Sequence, residues 1–272
     1  MRIMHVISTP ASGGAEVYVK DLSLAMVAAG HSVHITFLET AAECGRDLEY
    51  EHRFLSQLSA GNVSYSFLGI ETRRRPWRGA TRLRREVTRF APDVVHCHLY
   101  YALMFAFGLP RQLPVMMTVH SIELGAPAWM FRLFDRRVTA YVGICRACTD
   151  KLAPIAARPV VQIDNAVSGA RLKASGWREA NQQAPVQLAA IGRLTDAKQY
   201  PLMLESCARL KAQGLAFTLR IAGEGPHKAQ LMAQIEALGL DDEVSLLGNI
   251  SDVAGLLASA DAFIMSSAWE GL

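Results

Sequence analysis

Ile3-Met4-His5-Val6-Ile7-Ser8-Thr9-Pro10-Ala11-Ser12-Gly13-Gly14 opens the chain with an apolar run, a small polar turn and two glycines. Ile3 to Ile7 reads as a buried strand, because a strand covered on both faces is a continuous apolar run rather than an alternating one. Glu16 to Ala29 follows as a helix with Gly30 as its stop, and Val33 to Leu38 as the next strand. A strand, a glycine turn and a helix N-terminus expose backbone N–H groups that attract phosphate. The Gly-x-Gly-x-x-Gly spacing of dinucleotide sites is absent, and a plain tight turn explains the same residues.

The same alternation continues outward. Asp93 to His98, Val115 to Val119, Ala140 to Ile144 and Val160 to Ile163 read as strands, with a helix and loop expected over 40–62. Residues 168–184 carry no apolar period and read as a linker. The pattern then restarts with a strand from Val186 to Ile191, the loop Gly192-Arg193-Leu194-Thr195-Asp196-Ala197-Lys198 and a helix from Pro201 to Gln213. A strand from Phe217 to Ala222 leads into Gly223-Glu224-Gly225-Pro226 and a helix ending at Leu238. A strand from Val244 to Leu247, a short helix near Asp252 to Ala258 and a short buried strand from Ala262 to Met265 complete the series. Strands alternating with helices argue for an α/β protein with parallel sheets. At roughly 150 residues per domain, 272 residues divide into two: 1–167, the linker 168–184, and 185–272.

Hydrophobic residues make up 51% of the chain, enough for a sizeable core, and a net charge of +3 does not by itself imply nucleic acid. No apolar run approaches the ~20 residues that span a bilayer; the longest lies around Leu99 to Leu109. Met1 to Ser8 does not read as a signal peptide, and five cysteines without such a signal read as reduced thiols in the cytoplasm.

Charge is concentrated between Arg73 and Arg89, where eight arginines meet a single acid, Glu86. On a helix, Trp77, Ala80, Leu83, Val87 and Phe90 share one face, and Arg78, Arg82, Arg85 and Arg89 another. A sheet-packed helix with a solvated basic face explains this pattern. An anionic membrane surface is the sharper reading, since each basic residue near such lipid contributes about 1 kcal/mol. Nucleic acid ranks third, because no aromatic stacking platform interleaves the arginines. Pro127 to Arg137 is a second basic, aromatic segment, explained by core packing or by a lipid-facing patch.

Several residues carry possible chemistry. His96, His98 and His120 lie at strand ends, but no acid or cysteine motif completes a metal ligand set, so no metal is expected. A polar contact to a sugar hydroxyl suits His120, and a structural hydrogen bond suits His96. Cys145-Arg146-Ala147-Cys148 after a strand has the context of a redox pair, against which stands the reading of two small residues at a helix start. Glu270 and Gly271 follow the last strand, and in open parallel sheets ligands sit outside the carboxyl ends of strands. A carboxylate and bare backbone there suit a sugar or nucleotide.

Taken in order, the motifs resemble those of retaining glycosyltransferases of family 4. Gly13-Gly14-Ala15-Glu16 is similar to that family's first loop, Pro92-Asp93-Val94-Val95-His96-Cys97-His98 to its Pro-Asp-hydrophobic-hydrophobic-His-x-His strand, and Thr118-Val119-His120 to its Thr-x-His. Gly192-Arg193-Leu194 with Lys198, Gly223-Glu224-Gly225-Pro226, Val244-Ser245-Leu246-Leu247-Gly248 and Ser266-Ser267-Ala268-Trp269-Glu270-Gly271 continue the series. Asp164-Asn165-Ala166-Val167-Ser168 departs from the family's Pro-Asn-Gly-Val-Asp, Gln199 stands where glycine usually follows the lysine, and Ser266 stands where proline is common. The family's second motif glutamate would fall beyond Leu272, so the resemblance implies a C-terminally truncated chain.

The resemblance implies the GT-B architecture: two Rossmann-like domains facing across a cleft, the first for acceptor and the second, here incomplete, for a nucleotide-diphosphate sugar. It implies metal-independent transfer with retention to a glycan or lipid-linked acceptor, no cofactor, and a cytoplasmic protein, peripheral at the membrane through Arg78, Arg82, Arg85 and Arg89. Arg193 and Lys198, a forked donor and a compact cation, would neutralise the leaving diphosphate. His120 would contact the donor sugar and Glu270 its hydroxyls, with Gly13, Gly14, Gly223, Gly225 and Gly271 also at the donor. An incomplete GT-B fragment that only binds nucleotide sugar, and a nucleotide-sugar 2-epimerase of similar shape, are the alternatives.

Overall fold

The computed structural model describes residues 1–166, 185–250 and 252–270. The linker expected over 168–184 and Gly271 lie outside the described residues. Two compact units divide the chain, the first running from Met1 to Ala166.

In the first unit, apolar runs become strands β1 (Arg2–Ile7), β2 (Ser32–Phe37), β4 (Val94–Cys97), β5 (Val115–Val119), β6 (Ala140–Gly143) and β7 (Val160–Gln162), with β3 (Ser64–Phe67) at one edge. They form a wholly parallel sheet in the order β3-β2-β1-β4-β5-β6-β7. The order reverses between β1 and β4, the switch point at which such sheets take ligands. Helices α1 (Gly14–Ala28), α2 (Leu48–Ala60), α3 (Glu71–Arg74), α4 (Pro76–Phe90), α5 (Tyr100–Ala106), α6 (Ala128–Phe134) and α7 (Arg146–Leu152) connect the strands. Strand alternation sorts the side chains. Met4, Val6, Val95, Cys97 and Met117 pack in one cluster with Leu83 and Val87 of α4 and Phe105 of α5. Ile7, Ile35 and Phe37 pack in another with Val19 of α1 and with Phe54 and Leu58 of α2.

Two expectations change here. β3 was not read from the sequence, because Ser-Tyr-Ser-Phe at a sheet edge has no apolar run. Trp77 does not join the buried face of α4: it is 67% exposed, while Gly79, Leu83 and Val87 are buried. The Phe105 ring fills the space at that turn; a Cβ on Gly79 would stand 2.5 Å from it.

The second unit repeats the scheme with β8 (Val186–Ile191), β9 (Phe217–Ala222), β10 (Val244–Gly248) and β11 (Ala262–Phe263), interleaved with α8 (Tyr200–Ala212), α9 (Lys228–Ala237) and α10 (Val253–Ala258). Its parallel sheet runs β10-β9-β8-β11. Leu188, Ala190, Leu219 and Ile221 meet Met203 and Leu204 of α8 and Leu231 and Ile235 of α9 in its core. The expected buried strand over Ala262 to Met265 is corrected: only Ala262 and Phe263 pair with β8, and both are exposed. β11 is an edge strand with β8 as its only strand neighbour among the described residues, so only Ile264 of the following residues packs on the core. Among the described residues no helix is long and apolar enough to cross a membrane.

Candidate functional site

In the second unit the candidate residues gather where β8 and β9 end. The loop Gly192-Arg193-Leu194 lies directly on Gly223-Glu224-Gly225. A Cβ on Gly223 would stand 2.0 Å from the Gly192 carbonyl oxygen, and one on Gly225 2.3 Å from that of Leu194. Only glycine permits so close a backbone approach. Backbone bonds lock it: Gly192 N–H donates to Ala222 at 3.0 Å, Leu194 N–H to Glu224 at 3.0 Å, and His227 N–H to Leu194 at 3.2 Å. The Tyr200 hydroxyl adds a bond to the Gly192 carbonyl at 3.1 Å.

The loop continues through a 3-10 turn, Asp196–Lys198, to Gln199, whose left-handed conformation (φ 49°, ψ 39°) turns the chain into α8. Ser266 Oγ, just past β11, donates to the carbonyls of Lys198 at 2.7 Å and Gln199 at 3.0 Å. Ala268 N–H donates to the Ala197 carbonyl at 2.9 Å. So held, Glu270 places its carboxylate 2.5 Å from the Lys198 ammonium, the side chains 29% and 22% exposed. Burial alone would raise the Glu270 carboxyl; the hydrogen bonds of Lys198 and Ser267 and the Lys198 charge outweigh it and hold the group below its ordinary value. Arg193 is exposed on the same loop. Two cations at the carboxyl end of a strand can meet an oxyanion, and a carboxylate beside them can accept from hydroxyls.

In the first unit, four histidines line one side of the sheet. His5 of β1 stands in register with His96 of β4. His5 Nδ1 lies 3.0 Å from His98 Nε2, and His98 Nδ1 lies 3.0 Å from His120 Nε2. His96 Nε2 meets the Thr118 hydroxyl at 2.7 Å, the structural hydrogen bond expected for it. Tyr18 of α1 covers His120, ring centres 5.4 Å apart. Burial pushes His5 and His120 down to about 4 and His96 and His98 well below the ordinary histidine value, so all four are neutral near pH 7. His5 was missed in the sequence, although a histidine inside an apolar strand run is itself a signal.

The remaining candidates fall elsewhere. Gly13 caps α1, and a Cβ there would lie 1.9 Å from Glu16 Oε2, whose partner oxygen Oε1 accepts from Ser8 Oγ at 2.7 Å. An acid of the chain itself thus lies over the loop expected to receive phosphate; at Gly14 the Cβ position is open. Arg78, Arg85 and Arg89 are exposed. Arg82 departs from the expected membrane face: its guanidinium turns to Glu71 at 2.5 Å and to the Leu68 carbonyl, because α3 packs beside α4. Cys145 Sγ lies 3.6 Å from Cys148 Sγ, and burial pushes the Cys148 thiol up to about 12. A reactive cysteine is a lowered thiol, and Cys148 is the reverse.

The family model described as Glycosyltransferase Family 4 matches residues 12–171. The chain belongs to glycosyltransferase family 4. A second model, Glycosyl transferases group 1, matches residues 176–272. The family 4 chain is 36% identical over 85 residues to the putative colanic acid biosynthesis glycosyltransferase WcaL of Salmonella typhimurium, a match covering 30% of this chain and 21% of that protein. It therefore spans about a fifth of the length of that curated relative. It is 24% identical over 298 residues to the glycogen synthase of Mycobacterium tuberculosis, covering 95% of this chain and 70% of that one. Among solved structures it resembles Anabaena Alr3699/HepE in complex with UDP and glucose, with a TM-score of 0.74, 15% identity, and coverage of 98% of this chain and 74% of that one. At that identity the likeness speaks for the fold, the GT-B α/β fold with parallel sheets.

Proposed function

We propose that this chain transfers a sugar from a nucleotide-diphosphate sugar to a glycan or lipid-linked acceptor, with retention of configuration and without a metal. The observation that carries this reading is the Lys198–Glu270 pair, held on a backbone-locked loop beside Arg193 at the carboxyl end of β8. As the bond between the sugar's anomeric carbon and the diphosphate breaks, negative charge grows on the leaving oxygens. Arg193 and Lys198 neutralise it, the role that Asp-x-Asp and a cation play elsewhere, and no Asp-x-Asp occurs in this sequence. Gly223 and Gly225 let the loop come close. Glu270 accepts hydrogen bonds from sugar hydroxyls.

Retention follows if the acceptor oxygen attacks the face the diphosphate leaves, with a phosphate oxygen taking the acceptor proton. His120 is assigned a hydrogen bond to a sugar hydroxyl, and the backbone at Gly13 and Gly14 a dipole toward phosphate, where the open position at Gly14 leaves room. WcaL, described as a colanic acid biosynthesis glycosyltransferase, and HepE, described in complex with UDP and glucose, support the class of substrate.

An anionic membrane surface on the cytoplasmic side is the proposed partner of α4. Arg78, Arg85 and Arg89 are exposed there, and Trp77 is exposed beside them. Incubating the protein with UDP-, GDP- and ADP-sugars and lipid-linked acceptors tests the reading. Release of nucleoside diphosphate together with a glycosylated acceptor is expected; sugar interconversion without acceptor, or no turnover across the panel, contradicts it.

A further inference from the structure

The first unit contains a buried chain of imidazoles that the proposed transfer step does not require in itself. We infer that His98 and His5 are positioning residues that hold His120 in its Nδ1–H tautomer, so that His120 serves as a hydrogen-bond donor. The tautomer assignment stands on geometry; only its use in transfer rests on the reading of His120 given above.

Strand register builds the chain. His5 sits opposite His96, and the His98 N–H donates to the Val6 carbonyl at 2.9 Å, which fixes His98 at the end of β4. Alternation along β1 and β4 then turns His5 and His98 to the same side of the sheet, away from Val6 and Cys97. The contacts His5 Nδ1 to His98 Nε2 and His98 Nδ1 to His120 Nε2 are both 3.0 Å. Each ring is neutral, so each carries one N–H and one lone pair, and one choice of tautomer propagates through all three.

The interior end decides the direction. His5 is fully buried, and its Nε2 has no hydrogen-bond partner among the described residues. If His5 carried its proton on Nε2, a buried donor would be stranded, which folded proteins tolerate less than an unused lone pair. His5 therefore carries it on Nδ1 and donates to His98 Nε2. His98 must then be protonated on Nδ1 and donate to His120 Nε2. That leaves His120 with its proton on Nδ1, the minor tautomer of a free neutral histidine. A donor of this kind suits a hydroxyl or phosphate oxygen.

His5, His96 and His98 also stand close enough for their ligand atoms to lie within 4.8 Å of one another, the spacing of a metal cluster. Both nitrogens of His98 are already engaged at hydrogen-bond distance, so an ion would have to break this chain.

Long-range proton–nitrogen correlation on the full protein with ring-labelled histidine tests the inference without any substrate. His5, His98 and His120 should each show a pyrrole-type Nδ1 and a pyridine-type Nε2. His98→Ala should release His120 from that form, while His98→Asn, whose amide nitrogen can stand where Nδ1 does, should restore it. In transfer assays His98→Ala should lower kcat/KM about tenfold and His98→Asn recover most of the loss. An Nε2–H form of His120 in the unmodified protein overturns the inference, as does stoichiometric zinc in the purified protein or an unchanged His120 form in His98→Ala. The unmodified protein decides the tautomer even where His98→Ala does not fold. A locked Nδ1–H form in a protein that transfers no sugar would sink the proposed function and leave the positioning intact.

Discussion

The ammonium of Lys198 and the carboxylate of Glu270 lie 2.5 Å apart although 72 positions separate them in the chain. Ser266 and Ala268 bind the backbone of the Asp196–Lys198 turn, and the turn is in turn held by glycine-on-glycine contact between the β8 and β9 loops. A pair fixed in this way has its charges arranged before any ligand arrives, which is what electrostatic stabilisation of a leaving group requires.

The same loop stores strain at Gln199. Its left-handed backbone costs an ordinary residue about 1–2 kcal/mol, offset only in part by the exposed hydrogen bond from its amide to the Asp196 carbonyl at 2.7 Å. Gln199→Gly should raise the stability of the second unit by about 1 kcal/mol, read as a higher midpoint in urea. A lower midpoint would mean that the amide bond matters more than the strain.

Glycines 223 and 225 should not tolerate a side chain. Each added Cβ would meet backbone atoms, 2.0 Å from Gly192 and 2.3 Å from Leu194 respectively, and backbone cannot swing aside as a side-chain tip can. Gly223→Ala and Gly225→Ala should each cost about 3 kcal/mol and weaken nucleotide binding with it. Denaturation curves like those of the unmodified protein would show that the two loops part easily.

Acid should unfold the first unit early. In the unfolded chain its histidines titrate near 6.5, while burial holds His5 and His120 at about 4, and burial with the Arg89 charge holds His34 there too. His96 and His98 lie well below their ordinary value. Below about pH 6.5 the unfolded state therefore binds more protons, so stability is full above that pH and falls toward pH 4. Each histidine contributes at most about 1.4 kcal/mol per pH unit to the slope. Thermal melts between pH 7.5 and 4.5 should show a falling midpoint; a flat profile would mean that the histidines are not neutral in the fold.

Much of this arrangement is legible in the sequence. β1, β2, β8 and β9 are apolar runs because both faces of a parallel sheet are covered, and the glycines after β1, β8 and β9 mark the turns into helices. β3 is not legible, because an edge strand of Ser64, Tyr65, Ser66 and Phe67 satisfies its backbone without an apolar run. Helical spacing places Trp77 with Leu83 and Val87, and only the packing of Phe105 against Gly79 shows that it points elsewhere. The imidazole chain depends on the register of β1 beside β4, a tertiary fact that spacing along the chain does not contain.

The basic face of α4 should bind vesicles only when they contain anionic lipid. Exposed Arg78, Arg85 and Arg89 supply charge, and Trp77, 67% exposed, supplies an interfacial anchor. Flotation should weaken as salt shortens the range of the attraction, and reversing the three arginines to glutamate should abolish it. Equal binding to neutral vesicles would remove the electrostatic basis of the proposal.

Calorimetric titration of nucleoside diphosphates and their parent nucleosides into the unmodified protein, Arg193→Ala and Lys198→Ala tests the central claim most directly. The diphosphate that binds best should lose at least about tenfold in affinity in each variant, the equivalent of some 1.4 kcal/mol, while its nucleoside binds as before. An equal loss for diphosphate and nucleoside in both variants would mean that this loop does not hold the leaving group.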